Sequence, residues 1–146
     1  MIREAKKEDL IQLLQLYTQL GDNKVPQKSS KLCDLWDNII NDKNHHIVVY
    51  EEDGKIVSSC VCVIIPNLTH EQRSYAFVEN VVTDEKYRKR GLATECLNFA
   101  KEIAINEKCY KIMLLTGSKK ESTLNFYKKA GYNSNDKTAF IQWLDY

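Results

Sequence analysis

The sequence predicts a mixed α/β fold with its elements in the order βααβββαβαβ. Three observations carry that prediction. Two apolar runs flank Asp53-Gly54, the strongest short signal for a β-hairpin. A strand-like stretch, Ser74 to Thr83, feeds a basic, glycine-containing turn. That turn opens a helix whose Leu92, Ala93, Cys96, Leu97, Ala100, Ile103 and Ala104 recur at helical spacing. A last alternation follows, an apolar run at Tyr110–Thr116 and then a second amphipathic helix.

Taken in order, Ile2 to Ala5 reads as a short first strand. Leu10, Leu13, Leu14, Tyr17 and Leu20 form the apolar face of a first helix, with Gly21 placed to end it. Pro26 marks the following segment as a loop. Ser29 or Ser30 can cap a second helix, which carries Leu32, Leu35, Trp36, Ile39 and Ile40 on one face. The hairpin strands are Ile47–Tyr50 and Ile56–Ile65, and Pro66 ends the second of them. Residues 67–73 form a polar connection. In the next strand Tyr75, Phe77 and Glu79 alternate with Ala76, Val78 and Asn80. Ser118 and Glu121 have capping-box spacing and open the fourth helix, which Gly131 closes. Thr138–Leu144 reads as a final strand, giving six strands and four helices.

The length, 146 residues, suits a single domain over 1–146. A 43% hydrophobic content supplies a core, and a formal net charge of +1 gives no general attraction to nucleic acid or membrane. No apolar run approaches the roughly 20 residues of a membrane span, and the N-terminus lacks a signal peptide's apolar core. The five cysteines include no Cys-x-x-Cys pair, so neither zinc nor any other metal is expected. They read as small buried hydrophobes of a reducing, cytoplasmic setting.

The turn after the Ser74–Thr83 strand is a recipe for holding phosphate. The first N–H groups of a helix lack partners inside it, and its dipole places partial positive charge there. Arg88, Lys89 and Arg90 add full charges, and Gly91 has no Cβ to obstruct a ligand. The spacing is neither that of a P-loop nor that of a dinucleotide fingerprint.

Arg88-x-x-Gly91-x-Ala93 instead resembles the Arg/Gln-x-x-Gly-x-Gly/Ala signature of the GNAT superfamily of N-acetyltransferases. Two further stretches resemble landmarks of that family in the same order: Ile2-Arg3-Glu4-Ala5 with Glu8-Asp9-Leu10, and Asn125-Phe126-Tyr127-Lys128-Lys129-Ala130-Gly131-Tyr132. The resemblance implies a splayed, mixed, mostly antiparallel sheet of six or seven strands flanked by four helices. It also implies an acetyl-CoA co-substrate in the gap, and a small-molecule or peptide amine as acceptor. By that resemblance Val81, Val82 and Thr83 bind pantetheine through their backbone, and Arg88, Lys89, Arg90, Gly91, Leu92, Ala93 and Thr94 hold the pyrophosphate. It leaves a homodimer open. A non-catalytic acyl-CoA sensor on the same fold is the alternative.

Transfer to an amine needs two proton movements. Tyr127 matches the family's general acid; read from spacing alone it is a core aromatic of an amphipathic helix. Glu79 leads as base, because a carboxylate in an otherwise apolar strand is costly to bury and has a raised pKa in a partly desolvated cleft. Its bland reading is a solvent-facing or ion-paired Glu. His70 or a water is the alternative base, and Asn80 is a candidate to orient substrate. His45 and His46, in a polar turn, and Lys119-Lys120 read as surface. Trp36 reads as core, and Tyr75 as a candidate pocket wall.

Overall fold

The computed structural model describes residues 1–144. Its chain forms two compact units, Met1–Leu114 and a second beginning at Leu115. The first holds a five-stranded sheet in the order β1-β2-β3-β4-β5: β1 (Ile2–Glu4), β2 (His45–Glu52), β3 (Lys55–Ile65), β4 (Tyr75–Thr83) and β5 (Ile112–Leu114). The first four strands pair antiparallel and β5 joins β4 in parallel. It also holds α1 (Leu10–Tyr17), α2 (Ser30–Asn41) and α3 (Leu92–Asn106), and the second unit holds α4 (Glu121–Lys129).

Local sequence accounts for most boundaries. Asp53 and Gly54 both adopt positive φ (50° and 76°), as a two-residue type I′ turn requires. Of the two candidate caps for α2, Ser29 does the work, its Oγ accepting from the Leu32 N–H at 3.2 Å. Gly131 (φ 95°) closes α4 in a Schellman arrangement. Its N–H donates to the Lys128 carbonyl at 3.0 Å, and that of Tyr132 to the Tyr127 carbonyl at 3.1 Å.

One sheet face packs on α1 and α2, joining Leu13, Leu16, Trp36, Ile47, Val49, Ile56, Val61 and Val82 in one cluster. Trp36 is core, as expected, and its indole N–H donates to the Lys7 carbonyl at 2.9 Å. The other face meets α3 through cysteines. Cys60 and Cys62 point their thiols at the Cys96 and Ala100 carbonyls (3.5 and 3.8 Å), and the Cys96 thiol points at Ser58 Oγ (3.7 Å). All five cysteines are free. Burial pushes the Cys62 thiol up to about 12 and that of Cys96 to about 11, so they serve packing rather than nucleophilic chemistry.

Several expectations give way. Thr138–Leu144 pairs with no strand among the described residues, which leaves five strands rather than six or seven. Alternating apolar residues supply strand propensity but not a backbone partner. The Tyr110–Thr116 run yields only the three residues of β5, half-buried rather than buried. Helix α1 ends at Tyr17, tightening into i→i+3 bonds before Leu20 and Gly21. The Ser118–Glu121 box does not form. Ser118 Oγ instead accepts from the Lys120 N–H two residues on (3.3 Å) and bonds Thr123 Oγ1 (3.2 Å). His45 and His46 lie on β2, not in a turn, and His46 Nδ1 meets Glu4 at 2.9 Å.

Candidate active site

The site is built on β4. Its first part, Ala76–Val78, is hydrogen-bonded to β3 on one side and to β5 on the other. Beyond Val78 no described strand covers the second side, so Glu79–Thr83 presents an open backbone edge.

A bulge interrupts β4 at the start of that edge. Val61 faces Glu79 and Ser59 faces Val82, so one residue of β3, Cys60, spans two of β4. Asn80 absorbs the extra length in the left-handed region (φ 51°), where Asn is among the best tolerated non-glycine residues. The consequence is a change of phase. Glu79 opposes Val61 and Val82 opposes Ser59, both on the side of α1 and α2, although strict alternation would put Glu79 and Val82 on opposite faces. Glu79 and Asn80 are exposed, Val81 and Thr83 half-buried, and Val82 buried. Glu79 therefore stands in solvent rather than in the partly desolvated cleft expected for it.

After Thr83 the chain makes a one-turn 3-10 helix, Glu85–Tyr87, and enters the basic turn. Asp84 anchors it. Its carboxylate accepts from the Lys86 N–H at 3.0 Å and pairs with Lys55 at 2.8 Å, and the Lys55 bond foremost holds it below the usual carboxylate range. The Tyr87 ring lies between two cations, 5.2 Å from Lys55 Nζ and 5.3 Å from Arg90 Cζ. Arg90 Nη2 reaches both carboxylate oxygens of Glu52 on β2, each at 2.9 Å. Arg88 Nε donates to the Thr83 carbonyl at 3.1 Å. Lys89 has no ion-pair partner among the described residues.

Gly91 is the N-cap of α3, with φ 82°, and no side chain caps the helix. A Cβ at Gly91 would meet nothing within 4 Å, so the glycine is there for its backbone angle and the space beside it is open. The amides of Leu92, Ala93 and Thr94 are thus left to an external acceptor. Open strand edge, uncapped helix start and Lys89 fit a ligand with an amide-bearing arm and a diphosphate, as acetyl-CoA has. The structure brings Val81–Thr83 and Arg88–Thr94 together along one continuous strip, with Glu79 at its upstream end. Tyr127 belongs to the second unit, half-buried on α4, with its ring 4.9 Å from that of Phe126 and edge-on to that of Tyr132 at 6.4 Å.

Sequence reasoning missed the supports of this strip: Glu52, Lys55, Asp84, Tyr87 and the Gln19 side chain, which accepts from the Glu85 N–H at 2.9 Å. Only Asp84 carried a local signal, an Asp one residue before a turn. The others act across the fold.

The comparisons with known proteins point the same way. The family model described as "Acetyltransferase (GNAT) family" matches residues 8–132. A glucosamine 6-phosphate N-acetyltransferase of Trypanosoma brucei brucei is 31% identical over 91 residues, covering 62% of this chain and 60% of that protein. An uncharacterized N-acetyltransferase of Methanocaldococcus jannaschii is 28% identical over 148 residues, covering 98% of this chain and 64% of that one. The chain thus spans less than two thirds of the length of either relative. A solved structure of a presumed acetyltransferase from Agrobacterium tumefaciens superposes with a TM-score of 0.90 at 34% identity, covering 98% and 99% of the two chains. The chain belongs to the GNAT acetyltransferase family.

Proposed function

We propose that this chain is an acetyl-CoA-dependent N-acetyltransferase that moves an acetyl group to the primary amine of a small molecule or peptide by direct attack within a ternary complex. The observation that carries the reading is the strip from the open edge of β4 to the uncapped start of α3. The family match over residues 8–132 reaches into both compact units, which supports reading them as one acetyltransferase domain, 1–146. The Trypanosoma brucei relative is named for an amino-sugar phosphate, which supports a small amine as acceptor.

Acetyl-CoA supplies an activated acyl carbon and a thiol leaving group. The chain's own parts divide the remaining work. Backbone groups of Val81, Val82 and Thr83 take the pantetheine arm as an added strand, and Arg88 to Thr94 take the pyrophosphate. A backbone N–H near Val82 polarises the acyl oxygen by preorganised electrostatics. Glu79, directly or through water, accepts the proton the amine must lose, and its exposure leaves it open to an incoming acceptor. Tyr127 protonates the departing sulfur. Calorimetric titration with acetyl-CoA tests the reading: saturable binding is expected, and no binding at millimolar ligand would remove it.

A further inference from the structure

The connection from β3 to β4 builds a second cationic feature, at the other end of β4. Thr69–Gln72 makes one turn of helix-type hydrogen bonding in which His70, Glu71 and Gln72 all carry positive φ (53°, 60° and 56°). Three consecutive left-handed non-glycine residues cost backbone energy that the surroundings must offset. Asn67 holds the turn, its Nδ2 donating to the Thr69 carbonyl and Oγ1 (3.0 and 2.9 Å) and to the Arg73 carbonyl (3.3 Å). The result is a stack. The His70 ring lies flat on Tyr110, centroids 3.9 Å apart and planes within 6°. Tyr75 meets Tyr110 edge-on at 6.3 Å. Arg73 Cζ is 6.0 Å from the Tyr110 centroid, and Lys111 Nζ is 5.1 and 5.3 Å from Tyr75 and Tyr110.

The cations of this stack lie against rings rather than acids, and Arg73 Nε also donates to the His70 carbonyl at 3.4 Å. Arg3, Lys7, Lys55 and Arg90 each pair with a carboxylate, whereas Arg73 and Lys111 pair with none among the described residues. Tyr75, Phe77 and Glu79 share one face of β4, so the stack lies on that face, on the order of 13 Å upstream of Glu79 at the rise of a strand. The proposed coenzyme strip runs downstream of Glu79.

We propose that Arg73, Lys111 and the His70–Tyr110 stack form a subsite for a phosphate monoester carried by the acceptor, on the order of 13 Å from the base that meets its amine, by the same rise. This deepens the N-acetyltransferase reading and rests on it. A phosphate offers three strong acceptor oxygens to the guanidinium fork and the ammonium, which a carboxylate matches less completely.

The test follows the aromatic NMR signals of His70, Tyr75 and Tyr110 in the full chain while inorganic phosphate is added, with acetate as a carboxylate control. Saturable shifts at millimolar phosphate, weakened about tenfold in an R73Q/K111Q variant and about tenfold or more weaker with acetate, are expected. Absence of shifts, acetate affinity within about threefold of that for phosphate, or unchanged shifts in the variant would overturn the subsite. Acetyl-CoA added to the same samples is read at the amides of residues 81–94. Failure there strikes the parent reading, and failure at the stack alone strikes only the subsite.

Discussion

Glu79 and Tyr127 carry the two proton movements of the proposed reaction, and single substitutions separate their roles from binding. Glu79→Gln keeps size and polarity but cannot accept a proton. Turnover should fall by about 10²–10⁴-fold while acetyl-CoA affinity, measured by calorimetry, stays within twofold. Equal turnover in wild type and variant would move the base to His70 or to a solvent-held water. Tyr127→Phe should likewise lower kcat more than it weakens acetyl-CoA. A change confined to KM would return Tyr127 to the ring cluster it forms with Phe126 and Tyr132.

The element that shapes the site is the bulge in β4, and it rests on one backbone angle. Asn80 at φ 51° is tolerable for Asn and Gly but strained for a β-branched residue. Asn80→Val should cost on the order of 1–3 kcal/mol in chemical denaturation, whereas Asn80→Gly should stay near wild type. Similar losses in both would mean that the side chain, not the angle, matters. Gly91 is the counterpart at the start of α3. Its missing Cβ faces open space, so Gly91→Val acts through φ 82° rather than through a clash. Acetyl-CoA affinity should drop about tenfold or more as the turn re-forms, read in the same titration. Unimpaired binding would remove the helix start from the pyrophosphate site.

For the molecule as a whole, acid stability rests on carboxylates held by cations. Burial pushes the Asp9 carboxyl up, but hydrogen bonds from Arg3 (2.6 and 3.1 Å) and the Lys6 N–H (2.7 Å) outweigh it and hold the group below the usual range. Asp84 is also held low, by Lys55 first. A group whose folded pKa is depressed stabilises the fold fully above its unfolded value, near 4, and loses that contribution as pH falls through the folded value. The denaturation midpoint should therefore fall as the pH drops below about 4. In Asp9→Asn the fall should be shallower, although that variant is less stable at neutral pH because Arg3 loses a partner. A slope unchanged by the substitution would assign the acid sensitivity elsewhere.

What the sequence determined by itself was whatever depends on near neighbours in the chain. The Asp53-Gly54 turn, the Ser29 cap, the Gly131 closure, the apolar face of α3 and the basic turn before it all require only residues a few positions apart, so their signals survive without a fold. The family resemblance was legible for the same reason, since its motifs are short and local. Tertiary structure decided what depends on partners. The bulge at Asn80 exists only against the register of β3, and the open edge of Glu79–Thr83 only because β5 stops pairing at Leu114. Glu52 meets Arg90 only because the end of β2 lies beside the basic turn. Thr138–Leu144 shows the same rule in reverse: strand-like alternation is written in the chain, but a strand needs a neighbour to accept its hydrogen bonds, and no alternation can supply one.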